Sequence, residues 1–421
     1  MPEARRQAVD ILPDMKKKLE IGVGCADINS KDRKYVMEAL RSGRLTHGPY
    51  CSKFESLFGR FHNVKYSIFV NSGTSALRIA VACLKEVHGW QENDEVICPA
   101  VTFPATSNVL IMNGLKPVFA DVDSRIYNID PKEIESKISK RTRAIMVVHL
   151  FGQAAEMDPI IKIAEKYGLK IIEDACESPF AAYRGKPVGS FGDISCFSTY
   201  QAHIISTGVG GFACTNNSNY AEIMKSLANH GRDGIYLHID DDKNLSQDGL
   251  FRVVARRFRF LRLGYSFRAT EMEAALGLGQ LERKDGILAA RRRNADYLIS
   301  NLKKFEKILQ LPFWPDYNKH SFMMFPIVIK VGAGFTKRDL VNFLEKHDIE
   351  TRDMLPLINQ PVYTKLFGDL ENEYPVAKLI NNNGFYIGCH QKLKKGDLVY
   401  IISKFEEFFK KNKNSIGEIH E

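Results

Sequence analysis

Residues 144–174 run AIMVVHLFGQAAEMDPIIKIAEKYGLKIIED. Ala144 to His149 is a short apolar run of strand length, Met157 to Tyr167 repeats apolar residues at helical spacing, and Lys170 to Glu173 is another short strand. Strand, helix and strand in succession make a crossover unit, which joins parallel neighbours in one sheet. The same alternation holds upstream, with a helix from Ser75, a strand at Glu95 to Pro99, a helix after Pro104 and a strand at Pro117 to Ala120. The pattern predicts an α/β fold whose sheet is mainly parallel and covered by helices.

Near Glu271 the character changes to one long helix, with Ala274, Leu278, Leu281 and Ile287 at helical spacing. It is the expected connection between two domains. Beyond it, strand-like Met323 to Val331, a helix around Lys337 to His347 and a last helix near Leu398 to Lys410 have the size of a small α+β domain. The expected division is 1–270 for an N-terminal arm and large domain, and 271–421 for the linker helix and small domain. A chain of 421 residues with 44% hydrophobic residues has enough apolar material for both cores.

No apolar run is long enough to span a bilayer, and Met1 to Glu20 is charged, without the apolar segment of a signal peptide. Cytoplasmic residence is expected, with no membrane partner. Eight cysteines stand singly at 25, 51, 83, 98, 176, 196, 214 and 389, with no C-x-C or C-x-x-C pair. That spacing argues against a disulfide framework, a zinc site or an iron–sulfur cluster. The net charge of +9 is spread along the chain and is densest from Arg252 to Arg268, where Arg256, Arg257, Arg259 and Arg262 alternate with Phe258, Phe260 and Leu263. No nucleic-acid motif accompanies this stretch, so it is read as a diphosphate-binding segment or a solvated face.

Asn71-Ser72-Gly73-Thr74-Ser75 follows the apolar run Tyr66 to Val70 and opens a helix. Its N–H groups and hydroxyls either hold a phosphate at the helix N-terminus or cap an ordinary helix. Glu173-Asp174 ends a strand, where ligands of parallel α/β sheets sit. An acid there either orients a cationic ring nitrogen or caps the next helix.

Together with the segments around them, these elements resemble the DegT/DnrJ/EryC1/StrS family of sugar aminotransferases. Matching stretches include S-G-T-S-A-L at Ser72, C-P-A-V-T-F-P-A-T at Cys98, H-L-F-G-Q at His149, I-I-E-D-A-C-E at Ile171, G-K-P-V-G-S-F-G-D-I at Gly185, T-G-V-G-G at Thr207, N-H-G-R-D at Asn229 and G-Y-S-F-R-A-T-E-M-E-A-A-L-G at Gly264. The resemblance implies the type I fold of enzymes that use pyridoxal 5′-phosphate (PLP), with a large domain and a smaller C-terminal α+β domain. It assigns Gly73, Thr74 and Ser198 to the cofactor phosphate, Phe103 to stacking on the ring and Asp174 to the ring nitrogen. Glu177 stands where many members have Gln near the ring hydroxyl, and a carboxylate there needs a proton or a shifted geometry. Asn229 is assigned to the phosphate of a partner subunit's cofactor, which implies a homodimer with shared active sites. Tyr200 and Arg352 are the candidates for substrate contact, and a surface salt bridge accounts for Arg352 equally well. His149, His230 and His390 lie in family-like segments, where a lone histidine is more often structural.

The family's lysine, which bonds covalently to the cofactor aldehyde, lies shortly before the glycine turn. Here the segment reads Ser198-Thr199-Tyr200-Gln201-Ala202-His203-Ile204-Ile205-Ser206-Thr207-Gly208-Val209-Gly210-Gly211, and the aligned residue is His203. No lysine occurs between Lys186 and Lys225. An imidazole cannot form that bond but moves protons near neutral pH. The swap resembles the branch of nucleotide-sugar 3-dehydratases, in which the amine form of the cofactor, PMP, is held without a covalent tether. The expected activity is 3-dehydration of a nucleotide-linked 4-keto-6-deoxy sugar for polysaccharide or glycoside biosynthesis, with His203 as base and glutamate as amino donor. A sugar aminotransferase and a non-catalytic sugar-nucleotide binding protein are the alternatives. Val209 and Ser266 replace the Glu and Asn usual in the family turn and in Gly-Tyr-Asn.

Overall fold

The computed structural model describes residues 21–233, 245–256 and 258–412. Met1 to Glu20 and Arg257 therefore lie outside the described residues. Seven strands form the main sheet: Tyr66–Val70 (β1), Glu95–Pro99 (β2), Lys116–Ala120 (β3), Thr142–Val148 (β4), Lys170–Asp174 (β5), Ile194–Ser198 (β6) and Gly211–Thr215 (β7). Their order is β1-β7-β6-β5-β4-β2-β3, and only β7 runs against its neighbours. The fold is α/β with a mainly parallel sheet, as the alternation of elements predicts. Because β1, β5 and β6 end at the edge where β7 begins, Val70, Ser198 and Gly211 meet in register there.

Local chemistry sets the helix that enters this edge. Ser72 caps Gly73–His88 by accepting from the Ser75 N–H at 3.0 Å, and Gly89 ends it in the left-handed conformation at φ 63°. The helix buries Ala76, Ile79, Ala80 and Cys83 against the sheet. Phe54 and Phe58, on helix Pro49–Phe61, close the core beside β1 and β7, with the Phe58 and Phe212 rings stacked at 3.9 Å.

The single long helix expected from Glu271 is two helices, Glu271–Leu281 and Lys284–Leu302. Apolar spacing runs through the junction without a mark. The break is a tertiary effect: Arg283 leaves helical geometry and its guanidinium binds Asp27 and Asp32, at 2.7 and 2.8 Å. Ala274, Leu278 and Ile287 pack in the core of the main sheet, while Ala295, Leu298 and Leu302 pack in a second core. That second core lies on a four-stranded antiparallel sheet, with Phe325–Ile329 and Gly384–Ile387 at its centre, backed by Lys395–Lys411.

The first described residues join this second body. Ile21 pairs with Ile349, and the Val23 N–H donates to Glu350 Oε2 at 2.7 Å. We expect Phe58→Ala, at a site with no exposure, to destabilise the fold by about 3–5 kcal/mol, read as a lowered urea midpoint.

Candidate functional site

A cavity of about 580 Å³ opens at the C-terminal edge of β5 and β6, between the main sheet and the small body. Gly73, Thr74, Phe103, Asp174, Glu177, Ser198, Tyr200, His203 and Arg352 all line it. Asn229 does not; its backbone pairs with Ser266 and its Oδ1 is buried without a partner among the described residues. The described residues of the basic stretch do not line the cavity either. Arg256 and Arg259 pair with Asp233, Arg262 with Glu86 at 3.0 Å, and Arg268 contacts His230.

At one end, the backbone is packed too closely for larger residues. A Cβ on Gly73 would stand 2.8 Å from Ser198 Cβ and 2.9 Å from Cys176 Sγ, and one on Gly211 would stand 2.5 Å from Gly73 N. This leaves the first-turn N–H groups of Gly73 and Thr74, with the Ser198 hydroxyl, at a helix N-terminus suited to a phosphate.

Asp174 and Glu173 are consecutive on β5, so their side chains take opposite faces. Asp174 faces the cavity, where Thr106 Oγ1 donates to Oδ2 at 2.8 Å and the Cys176 N–H to Oδ1 at 3.2 Å. Burial raises its pKa above the usual aspartate value, against those hydrogen bonds. A cationic ring nitrogen is the partner that would offset this cost. Glu173 is spent on structure: its oxygens accept from the N–H groups of Gly189, Phe191 and Gly192, each at 2.7 Å. His149 completes its shell. Because the Ala155 N–H donates to His149 Nδ1, the ring proton is on Nε2 and points to Glu173 Oε2 at 3.1 Å. Burial pushes the Glu173 carboxyl up, and the bonds from His149 and the glycines outweigh it, leaving the pKa below the usual value.

His203 sits on the loop between β6 and β7, which is folded back by Gln201 N–H to Gly208 and Thr199 N–H to Gly210, each 2.9 Å. Ile204 and Ile205 anchor it in the core. Its Nδ1 is 2.7 Å from the Cys176 carbonyl, which only accepts, so Nδ1 carries the ring proton and Nε2 keeps its lone pair. Burial, aided by Arg291, lowers its pKa to about 4, so the ring is neutral at pH 7. Glu177 Oε2 accepts from the Phe151 N–H at 2.9 Å, and burial raises its pKa to about 7. Beside an oxygen ligand it is therefore partly protonated near neutral pH, the condition that a carboxyl in this position requires. Arg352 does line the cavity, yet it is ion-paired to Glu350 and bonded to the Thr351 carbonyl at 2.8 Å.

The sequence reading missed Glu350, Val23, Gly24, Met323 and Met324, which reach the cavity from segments without a motif. Thr106 was within reach, since it ends the C-P-A-V-T-F-P-A-T stretch. Among the described residues, no group of three His, Cys, Asp or Glu is placed to hold a metal, and no helix is long and apolar enough to cross a membrane.

The DegT/DnrJ/EryC1/StrS aminotransferase family model matches residues 26–406. The chain belongs to this family. It is 35% identical over 393 residues to the lipopolysaccharide biosynthesis protein RfbH of Salmonella typhimurium, covering 91% of this chain and 90% of that one. It is 32% identical to the GDP-perosamine synthase of Caulobacter vibrioides, over 92% of this chain and 98% of the other. In structure it is similar to the Escherichia coli GDP-4-keto-6-deoxy-D-mannose-3-dehydratase with bound hydrated PLP, with a TM-score of 0.83 at 26% identity, over 92% of this chain and all of the other. The fold is that of PLP-dependent aminotransferases, and PLP or PMP is the cofactor. The glycine-walled cradle at a helix N-terminus and the buried Asp174 carboxylate fit its phosphate and its ring nitrogen.

Two tests follow from this geometry. Glu173→Ala leaves three backbone N–H groups and His149 without their acceptor; we expect a loss of about 3–5 kcal/mol in urea unfolding, whereas Asp174→Asn keeps its contacts and shifts it by less than about 1 kcal/mol. Acid should also destabilise the protein. His62, His203 and His390 fall to about 4 and His320 to about 3, all chiefly by burial. Unfolding lets each return to near 6.5, so the stability is complete above that pH and is lost as pH falls toward 4. Glu55 and Glu177, raised by burial to about 7, act in the opposite sense between 4.5 and 7 but are fewer. The urea midpoint should therefore be lower at pH 4.5 than at pH 7.

Proposed function

We propose that this chain is a PLP/PMP-dependent 3-dehydratase of a nucleotide-linked 4-keto-6-deoxy sugar, with His203 as the base, acting in polysaccharide or glycoside biosynthesis. The observation that carries the reading is His203 itself: it lines the cavity where relatives carry lysine, with Nδ1–H bound to Cys176 and Nε2 unprotonated. Bound, the cofactor supplies a ring that accepts an electron pair. His203 Nε2 would be the group that accepts a proton at the cofactor's C4′ carbon, and the imidazolium, acidified by burial, would have that proton to give to the hydroxyl leaving sugar C3. Asp174 would hold the ring nitrogen protonated, and Gly73, Thr74 and Ser198 would hold the phosphate. Phe103, 58% exposed at the cavity wall, is placed to stack on the ring, and Glu177 faces its hydroxyl. Tyr200 and Arg352 line the opening and serve the substrate, Arg352 by exchanging Glu350 for an anion.

Glutamate restores the amine form. The overall balance is glutamate plus the keto sugar giving 2-oxoglutarate, ammonia and a sugar with one oxygen fewer. We also propose a homodimer, in which Asn229 reaches the partner's cofactor phosphate. The exposed Phe251, Phe258 and Leu263 supply apolar surface that supports such a contact between copies.

The test is incubation of the protein with PLP, glutamate and 4-keto-6-deoxy sugars on different nucleotides, with the products weighed. A sugar lacking one oxygen and carrying no nitrogen supports dehydration. An amino sugar that keeps its oxygen would establish an aminotransferase instead, the activity for which the perosamine synthase relatives are named. Uptake of PMP and nucleotide sugar without turnover would establish a binding protein. His203→Asn should abolish exchange of the C4′ proton with solvent while leaving PMP bound, and unchanged exchange would remove His203 from the mechanism.

A further inference from the structure

Arg291, on helix Lys284–Leu302, is fully buried, yet no carboxylate among the described residues pairs with it. A buried cation without a counter-ion costs several kcal/mol. Its Nη1 donates to two successive carbonyls, Phe322 at 3.1 Å and Met323 at 2.9 Å, while Nε and Nη2 have no partner among the described residues.

The corner it grips is itself strained. Phe322 has φ 50°, a left-handed conformation that is strained for a bulky residue. The Phe322 N–H turns back on His320 Nδ1 at 2.9 Å, and the Cys389 thiol also donates to the Phe322 carbonyl. A second left-handed phenylalanine, Phe151 at φ 56°, meets this corner from the main sheet. The Met323 N–H donates to the Phe151 carbonyl at 3.1 Å, and the Ser321 N–H to the Gly152 carbonyl at 2.8 Å. Only glycine fits at 152, because a Cβ there would stand 2.6 Å from Phe322 N. The Phe151 N–H in turn donates to Glu177 Oε2. A continuous chain of hydrogen bonds thus runs from the Arg291 guanidinium, through two strained corners in different bodies, to a carboxyl on the cavity wall.

We propose that Arg291 is a positioning residue: by clamping the Phe322–Met323 corner it fixes Phe151, and through Phe151 the place at which Glu177 presents its carboxyl to the cavity. The assignment of that carboxyl to the ring hydroxyl rests on the function proposed above; the mechanical link does not. The titratable groups that face Glu177 are Asp174 and Cys176 on its own segment and Tyr386 from the small sheet, none of them cationic. The Phe151 N–H is therefore what favours the ionised form, and its alignment is what Arg291 secures.

The experiment titrates Glu177 in the full-length, cofactor-free protein by the 13C spectrum of labelled glutamate carboxyls, with Glu177→Gln identifying the resonance. In the wild type the midpoint is expected near 7. Arg291→Met should move it to higher pH, and Arg291→Lys, whose ammonium serves one carbonyl in place of two, should give an intermediate value. A midpoint that stays or falls in an Arg291→Met protein that still melts cooperatively overturns the proposal. Where Arg291→Met does not fold, Arg291→Lys decides alone, and a wild-type midpoint there overturns it. No turnover is measured, so failure of the dehydration assay and failure of this link are separate results.

Discussion

One buried carboxylate organises the edge of the main sheet on which the cavity opens. Glu173 gathers three backbone N–H groups of the 189–192 turn and the His149 ring, and its carboxylate and that ring have no exposure to solvent. That shell sets where β6 begins, and β6 ends at Ser198, the loop of His203 and the glycine contact with Gly73. The next residue, Asp174, is turned to the opposite face by the strand's pleat and is thereby presented to the cavity at a fixed height. Two neighbouring acids of the same strand are divided between architecture and chemistry by geometry alone.

The cavity's electrostatics follow from the same burial. Desolvation keeps His203 neutral and lifts Glu177 toward neutrality, so both carry the form that a proton-moving site needs near pH 7. The orientation of the imidazole comes from a backbone carbonyl and needs no acidic partner.

Much of this was legible in the residues. Alternating apolar runs disclose a parallel sheet because helices must cover both its faces, and nine of the ten candidate site residues stand on one cavity because ordered motifs mark the ends of its strands. The break at Arg283 was not legible, since it depends on Asp27 and Asp32, about 250 positions away in the chain. Glu350 and Met323 escaped for the same reason. A residue brought to a site by the packing of two bodies leaves no local pattern, and neither does a strained corner such as Phe322, where no glycine announces the turn.

The extreme separation of the contacts made by the N-terminal segment has a consequence for biogenesis. Val23 meets Glu350 across 327 positions and Cys25 meets His390 across 365, so these two contacts cannot form until residues 350 and 390 have left the ribosome. The main sheet, whose neighbours are mostly close in sequence, can assemble during synthesis; the wall contributed by Val23 and Gly24 cannot. The wall is thus completed by a late docking step, and a chain cut short before residue 349 denies Ile21 and Val23 the partners that hold them in place.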